Sequence, residues 1–339
     1  MNNQPHLAAR VYRGDEIEAL HYASIAVVDA SGKLTHSLGD PEMVSMTRSC
    51  IKPFQLLPLM TAGAADHFKF TPRQLAIMCG SHNGSDDHRD VVLSILEAIG
   101  CTPNDLQCGS HWPLGMQETM EFPHDGEETD PVRHNCSGKH AGFLALAKFL
   151  GEEPGEYINP ESKTQKLVKQ AVSDFCEYPI EKMPTGVDGC SAPNFPLPLL
   201  NIARAFMRLA NVDSDDLIVR AALTRIRDAM RSYPEMVSGR HRLDLALMRS
   251  FEHNIVCKVG GESIEGVGLA EPSVGIAVKV HDGNWRAMGA IIIEALKQLD
   301  IIKNIEHYPF MKKHEQPEVR NARKIVTGRI VPSFKLRKA

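Results

Sequence analysis

Hydrophobic and polar positions along the chain fall into two regimes. Between Leu20 and Ala30 the apolar residues gather as Ile25, Val27 and Val28. Ser31-Gly32 interrupts them, and Leu34 to Leu38 resumes, which predicts a β-hairpin over residues 20–40. From Ser49 onward the pattern lengthens to a helical period. One helix is expected from Ser49 to Ala62, with Pro53 tolerated in its first turn. Thr71-Pro72 opens another that ends near Met78, and Ser85 caps a third that Gly100 closes. Thr102-Pro103 starts a short turn of helix. Further helices are expected near residues 138–150, 161–177, 195–210, 215–232 and 243–252.

Residues 107–135 lack any period and are rich in Gly, Pro, His and acidic residues, the signature of a long functional or mobile loop. Strand patterns return at Asn254–Val259, Gly266–Ala270, Val274–His281 and Trp285–Met288, with Asp282-Gly283 as a hairpin turn between the last two. Ala290 to Ile301 reads as an apolar helix. Within residues 302–339, Lys324 to Pro332 is expected as one more strand and the remainder as disordered. The two strand regions must meet to build one sheet. This predicts an α+β fold: a mainly antiparallel sheet flanked by helices, with a large helical lobe. The expected organisation is one catalytic domain, its α/β lobe at about 10–48 plus 253–332 and its helical lobe at about 49–252.

Composition changes little in this picture but removes some functions. The 339 residues are 43% hydrophobic and 24% charged, enough to bury a core without disulfides or metals. A net charge of −4 gives no reason to expect nucleic acid or an anionic membrane as partner. No apolar stretch is long enough to span a bilayer, and the first residues show no basic segment followed by an apolar run. The expected compartment is the cytoplasm. There the eight cysteines stay reduced, and no Cys-x-x-Cys pair suggests a redox motif or zinc ribbon.

Three short motifs carry chemistry. Ser49-Cys50-Ile51-Lys52, Ser81-His82-Asn83 and Lys258-Val259-Gly260 follow one another as Ser-x-x-Lys, Ser-x-Asn and Lys-x-Gly, the ordered signature of serine β-lactamases and penicillin-binding proteins. A serine hydroxyl needs a base to become a nucleophile. A lysine three residues on along a helical turn faces the same way. Alone, Ser49 reads more readily as a helix cap, Lys52 as a solvated lysine and Ser81-His82-Asn83-Gly84 as an ordinary turn. Together and in order they point to a serine–lysine amidohydrolase. Ser81 is placed to relay a proton between Lys258 and the leaving nitrogen, and Asn83 to bind substrate. His82, His134 and His140 read as polar structural residues rather than catalytic bases. Cys136 and Cys190, in His134-Asn135-Cys136-Ser137-Gly138-Lys139-His140 and Val187-Asp188-Gly189-Cys190, are either two buried reduced thiols, the simpler reading, or part of a zinc site.

Taken together, Arg48-Ser49-Cys50-Ile51-Lys52-Pro53-Phe54-Gln55, Cys79-Gly80-Ser81-His82-Asn83-Gly84, the Asn135–His140 stretch, Asp188-Gly189-Cys190 and the Lys258 segment resemble the rhizobial-type L-asparaginase family, often labelled L-asparaginase II. The resemblance runs from about residue 10 to about residue 330. It implies a serine-β-lactamase-like fold and hydrolysis of L-asparagine to aspartate and ammonia. It implies two Ser-Lys pairs, Ser49 with Lys52 and Ser81 with Lys258, and one zinc held by Cys136, Lys139 and Cys190. Asp188 matches the residue that supports this metal site. Arg48, His82, Asn83 and Asp188 are the candidate substrate-binding residues, and a homodimer is expected. In one place the chain departs from the family, which usually has Lys-x-Gly-Ala-Glu-Gly. Here Gly261 replaces the alanine and Ser263 the second glycine. A glutaminase or other small-amide hydrolase is the nearest alternative, since one methylene separates the substrates. A non-catalytic amino-acid-binding protein is a second alternative, and a β-lactamase or peptidoglycan peptidase is disfavoured by the lack of Lys-Thr-Gly and of an export signal.

Overall fold

The computed structural model describes residues 4–119 and 128–339. It separates into two compact units. The first comprises residues 1–50, 197–211 and 246–339; the second comprises 51–196 and 212–245.

The first unit is built on an antiparallel sheet. Its strands run in the order Glu318–Arg320, Val326–Pro332, His6–Arg13, Glu16–Val28, Val274–Val280, Ile264–Leu269, Ile255–Gly260. Leu34–Leu38 also pairs with Glu16–Val28, through Ile25↔Leu38 and Val27↔His36, so the expected hairpin is present. The long strand Glu16–Val28 shows two environments. Its first half is mostly exposed, whereas Ala23 to Val28 is buried on both faces. The helix Leu199–Asn211 covers this part of the sheet, packing on Glu16–Val28, Val274–Val280 and Ile264–Leu269. Glycine is what lets it approach. A Cβ on Gly268 would lie 1.9 Å from the Phe206 carbonyl oxygen, and one on Gly275 2.0 Å from that of Ala203.

Two expectations fail in this unit. Trp285–Ala287 is a 3-10 turn rather than a strand, and it runs into the helix Met288–Gln298. Asn284 explains this: its side chain accepts from the Arg286 N–H and starts helical geometry, so Asp282-Gly283 is no hairpin turn. Residues 302–339 are also ordered outside the expected strand. Arg337–Lys338 pairs with Ser37 and His36, and Glu318–Arg320 pairs with Val326–Pro332. Backbone pairing onto an existing strand needs no apolar period, which is why the pattern hid it.

The second unit is helical. At its centre lies Ser137–Phe149, buried from Ser137 through Ala147 and packed by Leu57–Thr61, Pro72–Met78, Asp86–Ala98 and Lys163–Phe175. A helix buried on every side belongs to a core. Lys139 and His140 are therefore charged or polar groups inside it, and they must find partners. Capping follows the sequence at Thr71, which forms a capping box with Gln74. Ser85 occupies the cap position of Asp86–Ala98, but its hydroxyl donates to His88 Nδ1 at 2.7 Å instead of capping. The helix expected over 49–62 is broken into a 3-10 turn, Arg48–Ile51, and two short helices, Lys52–Gln55 and Leu57–Thr61. Pro53 and Pro58 each remove an N–H, which favours such restarts. The expected loop at 107–135 contains a helix, Leu114–Thr119, and a 3-10 turn, Pro131–Arg133, while its residues 120–127 lie outside the described residues.

Candidate active site

Lys52 opens a helix of the second unit and is 1% exposed. Its ammonium donates to Ser81 Oγ at 2.9 Å, to the Gly80 carbonyl and, at 3.5 Å, to the Asn135 carbonyl. Ser81 itself lies in the irregular segment between Pro72–Met78 and Asp86–Ala98. Its peptide is held on both sides: its N–H donates to Val237 O at 2.7 Å, and Arg242 donates to its carbonyl at 2.9 Å. The structure thus brings together Lys52 and Ser81, which the resemblance had assigned to different pairs.

His82 is fully buried and fully engaged. Ser137 donates to Val132 O at 2.7 Å, so it accepts from His82 Nε2 at 3.0 Å, while His82 Nδ1 accepts from the Gly84 N–H at 3.2 Å. This fixes the neutral Nε2–H tautomer. Burial, then the neighbouring His88 and Lys52, hold the imidazole well below its ordinary pKa. Any contact of His82 with substrate would have to come from its backbone. Asn83 is half-buried beside it.

The second cluster lies on the buried helix. Lys139 Nζ donates to Cys190 Sγ at 3.0 Å, and Cys136 is hydrogen-bonded to the same sulfur. All three are nearly inaccessible. The Cys136 hydrogen bond, against the opposing effect of burial and with help from Lys139, lowers the Cys190 thiol to about 5. Burial alone would push the Lys139 ammonium down, but Cys190, Cys136 and Asp188 outweigh it and hold the pKa above its usual range. Asp188 is buried and anchors the turn that delivers Cys190. Its Oδ1 accepts from Gly189 N at 2.8 Å, and its carbonyl accepts from Ser191 N at 2.9 Å. Two sulfurs and one amine converging in a dry site form the N/S donor set that suits zinc, so these residues fit the implied metal.

Ser49 and Lys258 belong to the first unit. Ser49 is buried in the Arg48–Ile51 turn, whose first residue has φ +49. Lys258 is 0% exposed on Ile255–Gly260 and donates to Val259 O at 2.6 Å. The end of this strand packs on the serine turn: a Cβ on Gly260 would meet Thr47 O at 2.5 Å and Cys50 N at 2.9 Å. Arg48 lies near Glu262, 3.9 Å away. The departure from the family pattern has a physical reading here. Gly261 leaves room for the Arg48 guanidinium, which a Cβ would approach to 3.0 Å. Glu262 and Ser263 both adopt left-handed φ, +59 and +55, a region that suits the glycine usual at the second position.

Residues to which the sequence reading gave no role complete the arrangement. Arg242 holds Ser81. Gln55 is buried with neither amide atom hydrogen-bonded among the described residues. With Lys52 and Lys139 it lines a cavity of about 10 Å³, roughly the room of one water. Gln55 stands inside the Ser49–Gln55 stretch, so its position was visible, but Arg242 carries no local signal.

The family described as L-asparaginase II matches residues 9–332. No curated protein sequence matches the chain. Among solved structures, the octameric penicillin-binding protein homologue from Pyrococcus abyssi is 13% identical with a TM-score of 0.40, covering 86% of this chain and 76% of that one. A putative β-lactamase from Bacteroides dorei DSM 17855 is 11% identical with a TM-score of 0.37, covering 87% and 95%.

Proposed function

The chain belongs to the L-asparaginase II family and is an L-asparaginase, and from that premise we propose how its residues hydrolyse L-asparagine to L-aspartate and ammonia. Ser49 Oγ attacks the side-chain amide carbon. The Ser49 proton passes to a lysine amine, and a proton returns to the amide nitrogen, so that ammonia leaves and an aspartyl ester remains. Water, deprotonated by the same relay, cleaves the ester, and its hydrogen restores the Ser49 hydroxyl. The observation that carries this reading is the 2.9 Å contact between Lys52 Nζ and Ser81 Oγ in a site closed to solvent. It supports Lys52 and Ser81 as the proton relay, and Lys258, buried on its strand, is assigned as the second lysine of the reaction.

Arg48 is assigned to the substrate carboxylate, Asp188 to its ammonium and Asn83 to orientation. Cys136, Lys139 and Cys190 would hold zinc. When bound, zinc supplies a fixed positive centre that polarises and positions substrate. The lysine must bind as the free amine, so metal affinity weakens as pH falls. A homodimer and a cytoplasmic location complete the proposal. Leu20 and Tyr22 offer exposed apolar surface on one face of Glu16–Val28, and the buried free cysteines suit a reducing compartment.

Ammonia release from asparagine and from glutamine, measured side by side, tests the substrate. Preference for asparagine is expected, and preference for glutamine would keep the chemistry but overturn the assignment of substrate.

A further inference from the structure

The Ser81 loop has no regular structure, so its position must come from tertiary hydrogen bonds. One is the Lys52 donation to Gly80 O. Two more reach the Ser81 peptide itself from a single distant segment, residues 237–242, through Val237 O and the Arg242 guanidinium. Residues 236–239, at the start of this stretch, press on the loop around Ser81. A Cβ on Gly80 would lie 2.5 Å from Met236 O, and one on Gly239 2.6 Å from Asn83 Cγ. Both glycines are therefore close-approach positions, where backbone meets backbone or backbone meets the candidate substrate ligand.

The segment has no freedom to drift. Gly239 sits at φ +125 and His241 at φ +68. A histidine there costs free energy and persists only where its surroundings impose it. From the other side, His88 Nε2 donates to Glu235 O at 2.8 Å, and the His88 ring stacks on His82 at 4.8 Å between centroids. Ser81 and Asn83 are thus clamped between the Lys52 helix and a strap at 237–242.

We propose that this strap is a positioning element of the reaction and that Arg242 is its positioning residue, holding the Ser81 hydroxyl at hydrogen-bonding distance from Lys52. The inference rests on the reading of Ser81 and Lys52 as the proton relay. Arg242 acts through the peptide of Ser81 and need not touch substrate. A charge-assisted bond to that carbonyl is stronger and more directional than a neutral one. A relay hydroxyl displaced by about 1 Å loses on the order of a hundredfold in rate.

The test compares Arg242→Met, Arg242→Lys, Gly239→Ala and Ser81→Ala by steady-state kinetics on asparagine, with the melting midpoint of each. Arg242→Met is expected to lower kcat by about ten- to a hundredfold with KM changed less than about threefold. Arg242→Lys, which keeps a cationic donor, recovers part of that loss. Gly239→Ala displaces Asn83 and raises KM more than it lowers kcat. A merely structural role would lower the midpoint and leave kcat per folded molecule unchanged, and that result for Arg242→Met overturns the proposal. Should the methionine variant not fold, Arg242→Gln is read the same way. If Ser81→Ala loses turnover while Arg242→Met keeps it, the strap fails and the serine–lysine reading stands. If Ser81→Ala turns over like wild type, the relay itself falls and the strap with it.

Discussion

Two buried lysines of the second unit make an instructive pair. Lys52 meets two carbonyls and a hydroxyl, Gly80 O, Asn135 O and Ser81 Oγ, which are polar but uncharged. Lys139 meets thiols and feels a carboxylate: Cys190, Cys136 and Asp188. Both are almost inaccessible. Burial disfavours an ammonium unless an opposite charge offsets it. The first setting suits an amine that must give and take a proton. The second suits an amine bound to soft ligands, in an ion pair or on a metal. On the proposed reading the same side chain serves acid–base chemistry in one place and ligation in the other, because its neighbours differ.

Substitution of the two lysines separates the roles most sharply. Lys52→Met should lower asparagine turnover by about three orders of magnitude or more, because groups that act as a unit fail together. Its zinc content should stay at wild-type level. Lys139→Met and Cys190→Ser should do the reverse for metal, cutting zinc retention by about ten- to a hundredfold, read by elemental analysis after dialysis against a weak chelator. Loss of zinc from Lys52→Met, or its full retention in Cys190→Ser, would erase the distinction.

A pH effect follows from the histidine beneath Ser81. Burial, with His88 and Lys52 nearby, holds the folded pKa of His82 well below its ordinary value near 6.5. The folded state therefore binds this proton less readily than the unfolded chain. The stability contributed is fully present above about pH 6.5 and is lost as the pH falls below it toward the folded pKa. Denaturant midpoints measured from pH 7.5 down to 5 should fall, and the fall should flatten in His82→Gln, which keeps a neutral side chain. An unchanged slope would mean that other groups control acid stability.

The smallest effect lies outside both lysine sites. Ser263 is buried in left-handed geometry with its hydroxyl unpartnered among the described residues. Ser263→Gly should stabilise the protein by about 1 kcal/mol or slightly more by relieving that strain, measured as a shift in denaturant midpoint.

What the sequence made legible was local. Thr71-Pro72 and Gly100 write their helix ends in adjacent residues, and the structure agrees with them. The motifs around Ser49, Ser81, Lys139 and Cys190 were visible for the same reason. Convergence through space was harder to read. Nothing in the spacing of Lys52 and Ser81 announces their contact, and Arg242 reaches Ser81 from a segment without a motif. The 3-10 turn at Trp285 was missed because one side-chain cap at Asn284 outweighs an apolar, strand-like run. The C-terminal strands were missed because pairing by backbone leaves no periodic trace.

The most direct measurement is ammonia release from L-asparagine by folded, metal-replete Ser49→Ala, with asparagine binding followed in parallel by calorimetry. The account predicts turnover reduced by about three orders of magnitude or more while binding persists. Release at the wild-type rate would contradict it and would remove Ser49 as the nucleophile.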